Sequence, residues 1–508
     1  MERTGKSIKN IYFGLWLQLI TTILSFLTRT ILIRTIGIEL LSLNGLFTEV
    51  ISALSLAELG IGSSIAYSLY KPVAEKNEYK ICQLMKLYKR AYHLIALVTL
   101  GVGISLTPWI NHLITKVEID LNYIRTVYVL FVVQLATSYL FSYKISLLNV
   151  DQKNYIYSKI SALVKVIGTI IQIGIVCLTQ NYILYLVMTI AISLTTNIIC
   201  SIFVDRNYSF LKKKVDKLDE KEKKVVFKNV GNIFIKSVSG KITGSTDNIL
   251  ISTLVNTVLV GYYSNYNLIL NLIRTLVFQI YSGVFNSVGN LMATESNERC
   301  EKVFLRLNYL IYNFAVIAAT CVFTCMRPFI VAWIGDEYLL GTSVLVVCSV
   351  MLYIEILCKP LWLVMEVSGL FGIDKYAAII GSGVNLVVSI VLGIKIGIIG
   401  IFIGTCLTYI IQMILKTYFL YRYRWEKRPI KYYRIWLTEF LAGIGLMVVC
   451  SFVCSRITLS NPIIQFIVNA MITIAIVLIV NVLATHKSDE FLYVVNLIKS
   501  RINSSGRR

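Results

Sequence analysis

Fourteen apolar runs, most of them long enough to cross a bilayer, follow one another along this chain. They fall at about 11–36, 40–69, 91–110, 124–149, 158–179, 182–204, 229–256, 260–292, 307–333, 338–365, 376–394, 397–420, 435–455 and 462–484. A helical span needs about 20 apolar residues. Hydrocarbon offers no water to an open backbone, so spans of this kind must close their hydrogen bonds as helices. With 56% hydrophobic and 15% charged residues and a mean hydropathy of +0.73, the chain cannot be a soluble enzyme. The fold class is an all-α polytopic membrane protein of about 14 transmembrane helices.

The charges between the runs give the chain a direction. Of 49 basic residues, 35 fall in the segments on the side of the N-terminus. Only four (Lys116, Arg125, Lys395 and Arg456) fall on the other side, and ten lie inside the runs. The positive-inside rule then predicts that both termini are cytoplasmic, and the expected location is the cell membrane of a bacterium. The net charge of +22 follows from this bias and needs no nucleic acid, for which no extramembrane basic domain exists. Eleven cysteines lie mostly in apolar runs and the three histidines (His93, His112, His486) are scattered. Nothing there predicts a metal site or a cofactor.

The longest loop, residues 205–228, contains LKKKVDKLDEKEKK and reads as a solvated connector. It separates an N-terminal six-helix bundle (1–204) from a second one (229–420). An aromatic basic loop (421–434), suited to lipid headgroups, then leads to two additional helices and a tail (435–508). Thr28–Thr35 in the first run resembles Thr246–Thr253 in the seventh at an offset of 218 residues. Six spans per copy preserve orientation, so the pattern predicts a parallel repeat.

Ionisable residues deep in the runs carry the functional signal. Arg29, Lys165, Lys236, Lys241 and Arg274 lie far from any run end, and each would cost about 3 kcal/mol if it faced lipid near the bilayer centre. Protein or water should therefore surround them. Arg34, Lys144, Arg327, Lys359 and Lys416 stand nearer helix ends and are expected to snorkel outward. Ten basic groups in the runs face about six acids, among them Glu58, Asp247, Glu355 and Glu439. A cationic surplus attracts an anion, and Arg and Lys suit phosphate. The competing reading is a structural network of ion pairs.

Several stretches resemble the Wzx-type polysaccharide flippases of the multidrug/oligosaccharidyl-lipid/polysaccharide exporter superfamily. They are LSLAELGIGSSIAYSLYKPVAEKN (Leu54–Asn77), LLNVDQKNYI (Leu147–Ile156), STDNILISTLVNTVLVGYYSNYNLI (Ser245–Ile269), Gly369-Leu370-Phe371 and GIIGIFIGT (Gly397–Thr405). The resemblance implies two six-helix bundles in a MATE-like V around a cationic cavity. It implies alternating access, and an undecaprenyl-diphosphate-linked oligosaccharide carried from the cytoplasmic to the outer leaflet. Basic residues of spans 1, 7 and 8 would meet the diphosphate; Arg29, Lys241 and Arg274 occupy those helices. Asp247 and Glu58 are the acids placed to couple an ion or to form an ion pair. Implied partners are membrane lipids, a polysaccharide polymerase and other export machinery. A cation-coupled multidrug exporter and a peptidoglycan-precursor flippase are the alternatives of similar fold. An integral-membrane polymerase would need a large external catalytic loop, and the longest outer segment is only 110–124.

Overall fold

Short, strongly capped turns cut the apolar sequence into helices. The computed structural model describes residues 20–58, 61–151, 153–216, 218–220, 222 and 246–496. In order, the helices are α1 (20–36), α2 (Ile38–Leu54), α3 (Ile61–Ala74), α4 (Glu78–Ser105), α5 (Leu121–Val150), α6 (Asn154–Thr179) and α7 (Tyr182–Asn207). After the connector come α8 (246–254), α9 (Thr257–Thr294), α10 (Asn297–Trp333), α11 (Thr342–Leu357) and α12 (Lys359–Val367). The last four are α13 (Phe371–Ile396), α14 (Ile398–Leu420), α15 (Ile430–Ser455) and α16 (Pro462–Thr485). No strand occurs among the described residues.

Side-chain oxygens satisfy the first free N–H groups of several helices. Asn77 caps α4, Asp120 caps α5, and Asn181 and Asn461 cap α7 and α16. Between α6 and α7 the chain turns on Gln180, at φ 49°, directly before the Asn181 cap.

Among the described residues, ten helices are long and apolar enough to span a membrane, or eleven if α4 and the bent turn after it act together. The protein is thus a multi-pass membrane protein. The difference from fourteen has physical causes. The runs at 11–36 and 229–256 lie partly or largely outside the described residues. The run at 40–69, expected as one helix, breaks into α2, a 3-10 turn at Ser55–Glu58, and α3. Two glycines (Gly60, Gly62) next to a glutamate make that site a poor helix interior. The run at 338–365 also breaks, at Cys358 where Pro360 stands at the start of α12, yet it still counts as one of the ten.

The chain divides into two compact units, Met1–Gly261 and Tyr262–Arg508. The first has a tyrosine-rich core, in which Tyr88, Tyr92, Tyr139 and Tyr143 pack with Leu147 and Leu148. A second cluster joins Phe47 to Tyr128 and Phe131 in edge-to-face pairs. The connector docks on the start of α4: Lys213 bonds Glu78 at 2.8 Å, and Tyr79 donates to Asp216 at 2.8 Å. Hydrogen bonding to Glu78 pushes the Lys213 ammonium above its ordinary range. This loop is therefore partly anchored, where the sequence suggests only solvation.

In the second unit α10 is the hub, packing on α11, α12, α15 and α16. The two C-terminal helices are sewn to it by buried polar bonds. Thr324 meets Thr473 at 2.9 Å, Asn469 donates to the Thr324 carbonyl at 2.9 Å, and Tyr312 donates to Asn481 at 3.2 Å. The aromatic basic loop also turns inward: Arg424 donates to Asn297 at 2.9 Å, and Lys427 pairs with Glu301 at 2.6 Å.

The tightest packing is the α13–α14 hairpin. The sequence places the turn at Ile394–Ile396, but α13 runs through Ile396 and the reversal rests on Gly397, at φ 65°. Gly400 and Gly404 let the backbones touch: a Cβ at Gly400 would strike Leu392, and one at Gly404 would strike Ser389. Small residues at i and i+4 are the usual device for close helix approach in membranes. Asn385 donates to Thr405 at 3.1 Å, and Ser389 donates to the Ile401 carbonyl at 3.0 Å. Gly404→Leu is expected to destabilise the protein by about 1–3 kcal/mol through overpacking. Thermal unfolding in detergent should show the loss, and an unchanged midpoint would contradict this packing.

Candidate functional site: charges buried within the spans

The second unit encloses a five-residue ionic cluster. Helix α11 is buried on all sides from Met351 to Leu357, so Glu355, which it carries, is itself buried, while its partner Arg274 stays partly exposed. Its Oε2 accepts from Arg274 Nε at 2.8 Å, and its Oε1 meets Lys359 Nζ at 3.1 Å. Arg274 Nη1 also donates to Asn267 at 2.9 Å and Asn271 at 3.0 Å, two turns and one turn earlier on α9. The guanidinium is thereby fixed by three partners, using the several donors of its planar fork.

Lys359 and Lys416 both lie over the Trp362 ring, at 4.6 and 5.2 Å from its centre. Lys416 in turn pairs with Asp374 at 2.8 Å. Neither lysine snorkels as the sequence suggests; both turn inward, because the carboxylates and the indole offer better partners than the helix end does. Lys144 likewise pairs with Asp205 at 2.7 Å.

In the first unit, Arg29 on α1 donates to the Gly261 carbonyl at 3.0 Å. It lies within electrostatic reach of Tyr182 and Tyr185, whose rings stack 5.7 Å apart. Asn44 holds the Tyr182 hydroxyl at 3.0 Å, and Gln172 bonds the Tyr185 carbonyl at 2.8 Å. An arginine beside stacked phenols and amides is a suitable surface for a polar, anionic group. Glu58 stands at the break between α2 and α3 and accepts from Tyr92 at 3.0 Å.

Other predicted residues stand apart. Lys165 is exposed on α6, without an ion pair or hydrogen bond among the described residues. Asp247 is half-buried on α8 and has a polar partner. Lys236 and Lys241 lie outside the described residues.

Two stretches that carry the family resemblance turn out to hold loops. Ser252 donates to the Leu113 carbonyl at 2.5 Å, Thr115 donates to the Ser252 carbonyl at 2.6 Å, and Thr257 accepts from Thr115 N at 2.8 Å. Asp151 pairs with Lys153 at 2.7 Å and accepts from Tyr208. Burial would raise the Asp151 carboxyl, but bonds from Lys153 and Tyr208 outweigh it and hold the group below the usual range.

Sequence reasoning missed two features. Asp374 as the partner of Lys416 is one; the other is the pairing of half-buried Glu439 with Asn308. The latter left a signal, since an acid inside the 435–455 run has no basic residue three or four positions away. Its partner, Asn308, is 131 positions distant and leaves none.

Solved structures share this helical, multi-pass fold. A lipid II flippase MurJ in an inward closed conformation matches with a TM-score of 0.65 at 17% identity, over 94% of this chain and 99% of that one. An inward-facing multidrug resistance MATE family transporter of the MOP superfamily matches at 0.57 and 15%, over 84% and 95%. A MOP superfamily transporter from Pyrococcus furiosus Vc1 matches at 0.51 and 14%, over 79% and 92%. No curated protein matches the sequence significantly. The sequence model of the family described as polysaccharide biosynthesis protein matches residues 7–285. The chain belongs to that family.

Proposed function

We propose that this protein is a flippase that moves an undecaprenyl-diphosphate-linked oligosaccharide from the cytoplasmic to the outer leaflet by alternating access. The observation that carries the reading is the Arg274–Glu355–Lys359 cluster, in which two cations meet one buried carboxylate at 2.8 and 3.1 Å. A local positive excess within a span is costly unless it serves an anion, and a diphosphate is the anionic part of such a cargo. Arg29 with its stacked tyrosines is the matching group of the first unit, and Lys165, Lys236 and Lys241 are further candidates. Membrane lipids and a polysaccharide polymerase are the proposed partners, and both termini are placed in the cytoplasm.

Complementation tests the reading. The intact gene should restore surface polysaccharide to a strain lacking its own flippase of this family. A cation-coupled multidrug exporter is the second reading, because the fold is shared with MATE transporters. Lowered drug accumulation without restored polysaccharide would favour it. Reporter fusions provide a topological check: those after Asn77 and Arg428 should report cytoplasm, and those at Glu118 and Asp336 the exterior. A cytoplasmic signal at Asp336 would break the orientation.

A further inference from the structure

Helix α9 is exposed on two opposite sides. At about 100° per residue, Asn267, Asn271, Arg274, Phe278 and Ser282 share one of them. Ile269, Leu276 and Ile280 stand on the other, where the exposed Leu276 and Ile280 suit lipid. Polar groups inside a span are costly against lipid, so the first side needs water or a polar ligand. Asn271 and Ser282 are exposed there, Phe278 is 66% exposed, and Arg274 is partly so. Among the described residues, Arg274 Nη2 takes no hydrogen bond beside those made by Nε and Nη1.

One to two turns beyond Arg274 the same side becomes aromatic. The Phe278 and Tyr281 rings lie nearly parallel, 10° apart in plane with their centres at 6.4 Å, and Phe285 adjoins Tyr281 at 5.9 Å. Tyr281 donates to Glu366 Oε2 of α12 at 2.7 Å. Glu366 is exposed, and its second oxygen accepts no bond among the described residues. An open ring beside a carboxylate oxygen with spare lone pairs suits a sugar. The carbon face of a pyranose is apolar and packs flat on an aromatic ring, while its hydroxyls both donate and accept. A hydroxyl that donates to a carboxylate makes the stronger, charge-assisted bond.

We infer that this side of α9, with Glu366, is the sugar-binding part of the cargo site. Arg274 holds the diphosphate, steadied by Asn267 and Asn271. The Phe278 ring packs on the sugars next to it, and Glu366, fixed by Tyr281, accepts from their hydroxyls. Seven residues separate Arg274 from Tyr281, about 10 Å of helix at 1.5 Å per residue. Glu366 thus stands clear of the phosphates it would repel. The inference rests on the flippase reading and gives the carbohydrate a place that the reading leaves open.

The affinity of the full chain in lipid nanodiscs for two probes tests this. One is undecaprenyl diphosphate; the other is the lipid-linked oligosaccharide extracted from the producing strain after deletion of this gene. Wild type should bind the oligosaccharide form at least about tenfold more tightly, the scale of one hydrogen bond to a charged group. Phe278→Ala and Glu366→Gln should each bind the two probes about equally. Phe278→Tyr, which keeps a ring, should keep the preference, and so should Ile280→Ala on the lipid side. Equal binding of the two probes by wild type would overturn the inference, whatever the variants do. So would a preference that survives in either Phe278→Ala or Glu366→Gln. Wild type that binds neither probe would overturn the flippase reading itself. A wild-type preference for the oligosaccharide form leaves that reading standing even where the variants defeat this inference.

Discussion

Arg274→Ala is expected to abolish polysaccharide export in a complementation assay and also to lower the thermal stability of the purified protein. Removing one partner from a buried ion pair typically costs about 3–5 kcal/mol, because the other charge stays behind. Here Lys359 remains on Glu355 at 3.1 Å, so the stability loss should fall toward the lower end of that range. Arg274→Lys keeps the charge but cannot hold Glu355, Asn267 and Asn271 together; it should retain partial export. The double variant Arg274→Met, Glu355→Gln separates pairing from cargo contact. It removes both charges but leaves Lys359 without its carboxylate, so stability should return only in part while export stays absent. Export at wild-type level from the double variant would reduce Arg274 to a structural partner of Glu355 and withdraw the main support for a cationic binding site.

Arg29→Ala should have the second-largest effect. Its guanidinium ties α1 to the Gly261 carbonyl at 3.0 Å, and Gly261 itself stands against Ser42 and the Ile38 carbonyl. A charge-assisted hydrogen bond of this sort contributes about 1.5–3 kcal/mol. If Arg29 also meets the diphosphate, export should fall by more than folded protein abundance does. Arg29→Lys should then recover more export than Arg29→Gln, since only the lysine restores charge. Equal export from those two variants, at equal abundance, would assign Arg29 to packing alone.

The helical, membrane-spanning character was legible at once, because apolar length and caps such as Asn77, Asp120 and Asn181 are local properties. So was the expense of burying Arg29 and Arg274. What the sequence hid was partnership. Arg274 meets Glu355 across 81 positions and Lys416 meets Asp374 across 42, and no periodicity encodes such meetings. The Glu355–Lys359 pair was readable, being four residues apart on neighbouring helices α11 and α12 with only Cys358 between them. The break at Ser55–Glu58 was not, because hydropathy passes smoothly over it while the backbone answers to glycine.

The one-residue reversal at Gly397 has a consequence for biosynthesis. Asn385 and Ser389 bond across to α14, at Thr405 and the Ile401 carbonyl. Were α13 released into lipid alone, those two bonds would be lost, and the joint is too short for the two helices to insert independently. The pair should therefore leave the translocon together, as one preassembled hairpin. A stretch inserted at Gly397 would do its damage during synthesis, before any transport could be measured.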